Sequence, residues 1–391
     1  MKKIILAIMI GLLCLSGCQK KEENKEESEA LPSIENYAIQ HETEFGGVYI
    51  KMEIDDFNAL GFTYGDSVDV VFSNGYKLED IPYYNGYYVN AGEPLLIAYP
   101  GYDYIKACIN YGDDLWEDAL LQMSTPKSLW LMAEASEHDT ASVYLHEKGK
   151  YLDTQIARDI HYYDERERYP SDIVFANFRN ITTGNIKDGI LYRSASPCDN
   201  QHNRATYVDR LIEEAGVNTI LDLADSDTKI EGYIAREDFD CPYFLSLYEK
   251  GNVIPLALSM SYLSQEFGEK IARSFVEMSE KEGPYLVHCT EGKDRTGFVC
   301  ILIEALAGSS YQEIVDDYML TYDNYYRISE SSDSLKYNLI KQQNVDAMLH
   351  FIADSEEDLS KIDLSAAARS YLLEMGMEEE QITSFLNRIT D

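Results

Sequence analysis

The spacing of apolar positions changes four times along this chain. Ile4 to Leu15 form an unbroken apolar run behind Lys2 and Lys3, too short to span a bilayer as a mature helix, which is the grammar of a secretory signal. Gln19 to Ala30 (QKKEENKEESEA) contains no aromatic or branched apolar residue, so it cannot bury enough surface to offset its ordering entropy and reads as a solvated tether. From about Glu44 to Gln122 the pattern is short and alternating. GGVYIKMEI, DSVDVVFS, GYYVN, EPLLIAYP and DYIKACIN read as strands separated by Gly, Asn, Asp and Pro, which predicts a small all-β barrel or sandwich. From about Thr125 to Tyr163 the sequence turns helical and then polar, ending in DERER at Asp164 to Arg168, which reads as a connection with a solvated charged face.

Beyond Pro170 strands alternate with helices. Ile190–Ser194 and Val217–Leu223 are predicted strands, with a helix over Ala205–Ala215 between them. Within Ser261–Glu280, Leu263, Phe267, Ile271, Phe275 and Met278 recur three or four apart and make one apolar stripe of a helix. Tyr285–Val287 is a short apolar strand, and Thr296–Leu306 is a helix apolar almost all round. That order predicts an α/β unit with a parallel crossover, whose chemistry sits in the loop leaving a strand end. The divisions are therefore a signal over 1–17, a tether over 18–36, a small β-domain over 37–124, a connection over 125–170 and an α/β domain over 171–391.

Composition narrows the partners. The 391 residues carry 33 basic and 69 acidic side chains, a formal charge of −36, so the surface at large is unsuited to tracking nucleic acid. Tyr outnumbers the other aromatics at 31, against 13 Phe and 2 Trp, which suits a wet, sheet-rich surface. Leu15-Ser16-Gly17-Cys18 resembles the lipobox of bacterial lipoproteins. That resemblance implies cleavage before Cys18, diacylation of its sulfur, and an extracytoplasmic protein held at the membrane by two acyl chains. The remaining cysteines, Cys108, Cys198, Cys241, Cys289 and Cys300, are odd in number and lack the spacing of a disulfide framework or a zinc site, so at least one thiol is free.

The chemistry is predicted in one loop, His288 to Gly297, HCTEGKDRTG. Between a strand ending at His288 and a helix starting near Arg295, the N–H groups of Thr290, Glu291, Gly292, Lys293, Asp294 and Arg295 can curl around one point at the positive end of a helix. This is an anion cradle fitted to a tetrahedral dianion. Cys289 at its base feels those dipoles and the Arg295 guanidinium, which favours its thiolate. Arg295 offers two parallel donors to phosphoryl oxygens. Gly292 and Gly297 permit a tight loop and close approach of backbone to ligand, the Thr296 hydroxyl can bond the sulfur, and Lys293 can bear a second anionic group of a substrate.

This segment resembles the signature of the cysteine-based protein tyrosine phosphatases, HCxxGxxR followed by Ser or Thr. GKDRTG, with FRNITTGNIKDGILYRSASP over Phe178–Pro197 and the tail AAARSYLLEMGM, is similar to a bacterial tyrosine phosphatase family. The resemblance covers about residue 172 to the C-terminus. It implies a central, mostly parallel sheet flanked by helices and a phosphomonoester hydrolase acting through a phosphocysteine, with no metal or cofactor. Its substrate would be a phosphotyrosine protein or a small phosphomonoester, with phosphoinositides or inositol phosphates as the alternative. Catalytic roles fall to Cys289, Arg295 and an aspartate that protonates the leaving oxygen: Asp294 inside the loop, or Asp225 or Asp227 after the strand ending at Leu223. The family's arginine after the DL of that strand is replaced by Ala224. Residues 61–113 resemble the small β-barrel domain of SAM hydroxide adenosyltransferases, which implies a binding or spacer module. A rival reading, an inactive surface binding lipoprotein, conflicts with a loop in which Cys289, Arg295, Thr296 and both glycines are intact.

Overall fold

The computed structural model describes residues 31–119, 121 and 139–390. The predicted signal, Cys18 and the tether as far as residue 30 lie outside the described residues, as does the part of the connection over 125–138. Among the described residues no helix is long and apolar enough to cross a membrane.

The N-terminal unit is a closed seven-stranded barrel of β1 (Ser33–Glu42), β2 (Gly47–Glu53), β3 (Ser67–Phe72), β4 (Lys77–Tyr84), β5 (Pro94–Ile97), β6 (Tyr104–Ile109) and β7 (Thr140–Glu147), in the order β1-β2-β6-β5-β4-β3-β7. Alternation explains the elements: in β2 and β3, Val48, Ile50, Met52, Val68, Val70 and Phe72 face the barrel core. Three sequence expectations change. The tether does not extend to residue 36, because β1 begins at Ser33; Asn36 stands at φ 58° in a register break between Ile34 and Tyr37, and this bulge conceals the alternation. GYYVN is not a strand, whereas Lys77–Tyr84 is. The connection is not wholly helical, since TASVYLHE forms β7 and closes the barrel against β1 and β3. Inside one end, Lys106 is 1% exposed, pairs with Glu42 at 3.2 Å and lies beneath a cavity of about 330 Å³ walled by Phe45, Tyr87, Tyr102 and Ile109.

After helix α1 (Leu152–Arg158), the α/β unit is built on β8 (Arg179–Asn180), β9 (Leu191–Ser194), β10 (Thr219–Asp222), β11 (Val253–Pro255) and β12 (Tyr285–His288), in the order β11-β10-β12-β9-β8. The first four strands are parallel and β8 is antiparallel at the edge. Both faces are covered, so consecutive residues of one strand enter different cores: Ile220 and Leu286 on one side, Leu221 and Val287 on the other. Helix α2 (Ala205–Glu214) belongs to the first face. Helices α3 (Gln265–Ser279), α4 (Asp294–Leu306) and α5 (Tyr311–Tyr326) belong to the second. α3 starts after Ser264, whose hydroxyl accepts from the Phe267 N–H. Its stripe Phe267, Ile271, Phe275 and Met278 is buried, while Leu263, before the cap, is half exposed at 53%. α4 is buried all round from Thr296 to Leu306, as its uniform apolarity requires.

Register brings Asp222, His288 and Ser194 side by side at the C-terminal ends of β10, β12 and β9. The loops that leave these three residues form the site. All five described cysteines are unpaired and buried. Burial pushes the Cys108 thiol up to about 11 and those of Cys241 and Cys300 up to about 12.

Candidate active site

The loop from Cys289 to Arg295 is held by its carbonyls. Thr290 O accepts from the Ser196 N–H at 3.1 Å, and Glu291 O from the Tyr325 hydroxyl at 2.7 Å. Gly292 O accepts from Arg193 Nη2 at 3.0 Å and Asn177 Nδ2 at 3.2 Å, and Lys293 O from the Gly297 N–H at 2.7 Å. The N–H groups of Thr290 to Thr296 meet no hydrogen-bond acceptor among the described residues. With the carbonyls tied outward, the donors are left to face inward at the start of α4, which is the arrangement of an anion cradle.

Two donors to the Gly292 carbonyl, Arg193 and Asn177, come from a buried polar cluster. Asp317 on α5 pairs with Arg179 Nε at 2.6 Å and with Arg193 Nη1 at 2.6 Å. Asn177 Oδ1 accepts from Arg179 at 2.8 Å and from Asn324 at 3.0 Å. Burial alone would raise the Asp317 carboxyl, but the two guanidinium groups hold it down at about 2. Arg193, on the strand beside β12, is 0% exposed, so its charge is tolerable only because the Asp317 carboxylate pairs with it.

Gly292 has φ +68°, and a Cβ there would stand 2.1 Å from Ser194 O. Gly297 has a different role from the one expected. Its missing side chain makes room for the Tyr318 ring, which a Cβ would meet at 2.4 Å, so it serves helix packing and not ligand approach.

The side chains around the cradle are ordered. Arg295 Nη1 donates to Leu258 O at 2.9 Å and Nη2 to Thr290 Oγ1 at 3.4 Å, leaving Nε buried without a partner. The Thr296 hydroxyl is also buried and unpartnered. Cys289 is 3% exposed at the loop base. Lys293 pairs with Glu291 at 3.0 Å and Asp294 at 3.8 Å, and donates to the Tyr326 hydroxyl at 3.0 Å. Burial would lower the Lys293 ammonium, yet Asp294, Tyr326 and Glu291 hold it well above its ordinary value. Burial would raise Glu291, yet Lys293, His202 and the Tyr162 hydroxyl hold it below the usual carboxylate range. Both are charged at neutral pH.

The three candidate acids part company here. Asp294 is half-buried at the start of α4, within the loop. Asp225 is fully buried, closed in by Lys229 at 2.9 Å and the Tyr233 hydroxyl at 3.3 Å. Asp227 accepts from the Tyr248 hydroxyl at 3.1 Å. Cys198, Asp222 and Asp225 bring one donor atom each within 4.8 Å of one another. Asp225 is already neutralised by Lys229, and Asp222 Oδ1 accepts from the N–H groups of Ala224 and Asp225, so the group serves as a hydrogen-bonded support beneath the strand ends.

Residues 175–390 match the tyrosine phosphatase family, more than half of the chain, and the chain belongs to that family: it is a cysteine phosphatase. Among solved structures, the core catalytic domain of the PP-IP phosphatase SIW14 from S. cerevisiae, in complex with citrate, is 18% identical, covering 48% of this chain and 93% of its own, with a TM-score of 0.26. TpbA from P. aeruginosa is 18% identical, covering 42% of this chain and 88% of its own, with a TM-score of 0.25. A cysteine-to-serine variant of TpbA in complex with phosphotyrosine is 17% identical, covering 41% and 83%, also with a TM-score of 0.25. No curated protein matches the chain.

Missed by sequence reasoning were Arg193, Asp317, Asn177 and Tyr325, which shape the loop from distant parts of the chain. Their only local signal is the charged residue inside the apolar strand LYRS. The Gly292→Ala variant is expected to lose phosphatase activity and about 2–4 kcal/mol of stability, from the left-handed backbone and the collision with Ser194. Thermal unfolding at the wild-type midpoint would contradict this account of the loop.

Proposed function

We propose that the enzyme is a protein-tyrosine phosphatase working through a phosphocysteine. The observation that carries this reading is the cradle of unpaired N–H groups above Cys289, with Arg295 Nε unpartnered beside it. The Cys289 thiolate attacks phosphorus in line as the bond to the tyrosine phenol oxygen breaks. Arg295 and the N–H groups of Thr290 to Thr296 take the charge of the equatorial oxygens. Asp294 gives its proton to the leaving phenol oxygen, then accepts one from the water that cleaves the S–P bond, releasing inorganic phosphate and restoring the thiolate. Asp294 is favoured because it belongs to the loop, whereas Asp225 is fully buried against Lys229 and Asp227 is engaged by Tyr248.

A phosphotyrosine substrate is favoured over an inositol phosphate because the Lys293 charge is already shared between Glu291 and Asp294. The Leu15-Ser16-Gly17-Cys18 run supports placing the enzyme outside the cytoplasm, tethered through a lipidated Cys18.

Cys289→Ser is expected to reduce hydrolysis of an aryl phosphate to the level of buffer; metal-free turnover by that variant would refute the covalent mechanism. Asp294→Asn should slow phenyl phosphate about 100-fold and p-nitrophenyl phosphate far less, since only the poorer leaving group needs the proton. Equal losses on the two esters would remove Asp294 from the acid role. Lys293→Ala should depress turnover of a phosphotyrosine peptide and of an inositol phosphate alike, through the loop. Selective loss on the inositol phosphate would instead assign Lys293 to its extra phosphate and overturn the substrate preference. In cell fractionation, Cys18→Ala should move the protein from the membrane to the soluble fraction, and a variant still sedimenting with membranes would show that anchoring lies elsewhere.

A further inference from the structure

The cradle contains a residue of the wrong sign. Glu291 lies within the run whose N–H groups would hold a phosphoryl dianion, and its carboxylate is charged at neutral pH. A carboxylate there is an internal rival, able to repel the dianion or to accept from the same donors. The structure holds it aside. Glu291 Oε2 pairs with Lys293 Nζ at 3.0 Å, and Glu291 Oε1 accepts from the Tyr162 hydroxyl at 3.2 Å. The backbone is fixed independently, through the bond from the Tyr325 hydroxyl to Glu291 O at 2.7 Å.

Tyr162 comes from outside the phosphatase domain. It stands in the segment between barrel and catalytic unit, ahead of residues 175–390 that match the family. That segment is fastened on both sides of it. Lys336 Nζ donates to Asp159 O at 3.0 Å. Arg204, 2% exposed, pairs with Asp164 at 2.9 Å and donates to Tyr163 O at 3.1 Å and to Phe175 O at 2.9 Å. The charges of DERER are therefore not all a solvated face.

The ring and the hydroxyl of Tyr162 have separate roles. The ring lies 5.8 Å from those of Tyr325 and Tyr326 on α5 and 5.1 Å from the Arg204 guanidinium, contacts that a phenylalanine would keep. The hydroxyl meets Glu291 Oε1 and, also at 3.2 Å, the His202 ring, whose Nδ1 lies 3.2 Å from Asp164 Oδ1. Its one proton goes to the carboxylate, the stronger acceptor. Lys293 is the other restraint on that carboxylate, but its ammonium is shared with Asp294 at 3.8 Å and with the Tyr326 hydroxyl at 3.0 Å. The Tyr162 hydroxyl thus gives Glu291 Oε1 a directed contact of its own.

We infer that Tyr162 is a positioning residue of the active site, holding the Glu291 carboxylate against Lys293 and away from the phosphate cradle. This adds a contribution from the segment between the two units to the phosphatase reading, and rests on that reading for the ligand of the cradle. The test uses the full-length protein, with inorganic phosphate binding measured by calorimetry and phenyl phosphate turnover by product release. Tyr162→Phe should weaken phosphate binding and raise KM about three- to tenfold while kcat changes less than about twofold, because a freed carboxylate opposes the bound ester and the transition state alike. Half-molar salt should shrink the difference. In a Glu291→Gln background, where there is no carboxylate to hold, Tyr162→Phe should leave phosphate binding unchanged; a merely structural role would keep its effect there. Glu291→Gln alone should bind phosphate at least as tightly as the parent, a result that stands even if Tyr162→Phe fails to fold. Unchanged binding in Tyr162→Phe, a loss confined to kcat, an equal loss in the Glu291→Gln background, or weaker binding in Glu291→Gln alone would overturn the inference. Failure of the phosphatase reading would register separately, as phosphate bound by an unsubstituted protein that does not turn over the aryl ester.

Discussion

The outward anchoring of the loop carbonyls is the constraint on which the site depends. A short loop contains as many acceptors as donors, and it binds an anion only if the acceptors are kept away from the centre. Here Ser196, Tyr325, Arg193 with Asn177, and Gly297 each hold one carbonyl between Thr290 and Lys293. Gly292 permits the turn because nothing larger fits against Ser194. The Asp317, Arg179 and Arg193 set therefore acts on chemistry without touching a substrate. It is a buried ionic cluster that fixes geometry, and loss of any one member would strand the other charges in a dry interior.

The catalytic fold was legible because its local pattern is strong. The stripe of α3, the all-round apolarity of α4 and the strand before the loop each impose one reading, and the loop residues that resembled the family signature come together as one continuous segment. What escaped was either masked locally or non-local. Asn36 interrupts the alternation of β1, and β7 is separated in sequence from the strands it joins. The Asn177 to Gly292 bond links positions 115 residues apart, and no window of sequence contains both. The connection illustrates the same limit, since its charges read as solvated until Arg204 and the loop are placed beside it.

Tyrosine usage was also misleading. The abundance of Tyr suited a wet sheet surface, yet Tyr318, Tyr322 and Tyr325 are buried on α5, close to the loop. Their rings fill space as Phe would, and the hydroxyls of Tyr325 and Tyr326 supply directed contacts to Glu291 O and Lys293. Phe in their place would keep the volume and lose the positioning. The same helix carries Asp317, so α5 supports the site from beneath and from the side, although it contributes none of the residues of the signature.

The buried thiols have a consequence for reactivity. A sulfur that is enclosed and held as the neutral thiol is a poor nucleophile and a poor target for oxidants or alkylating agents. Cys108, Cys241 and Cys300 meet that description, and Cys198 is pushed well above its usual value by burial beside Asp222. Among the described residues, only the sulfur at the base of the cradle sits where donors can stabilise a negative charge. Among the five described cysteines a thiol-directed probe thus has one address, and a peroxide reaching that domain would act on turnover before it acted on architecture.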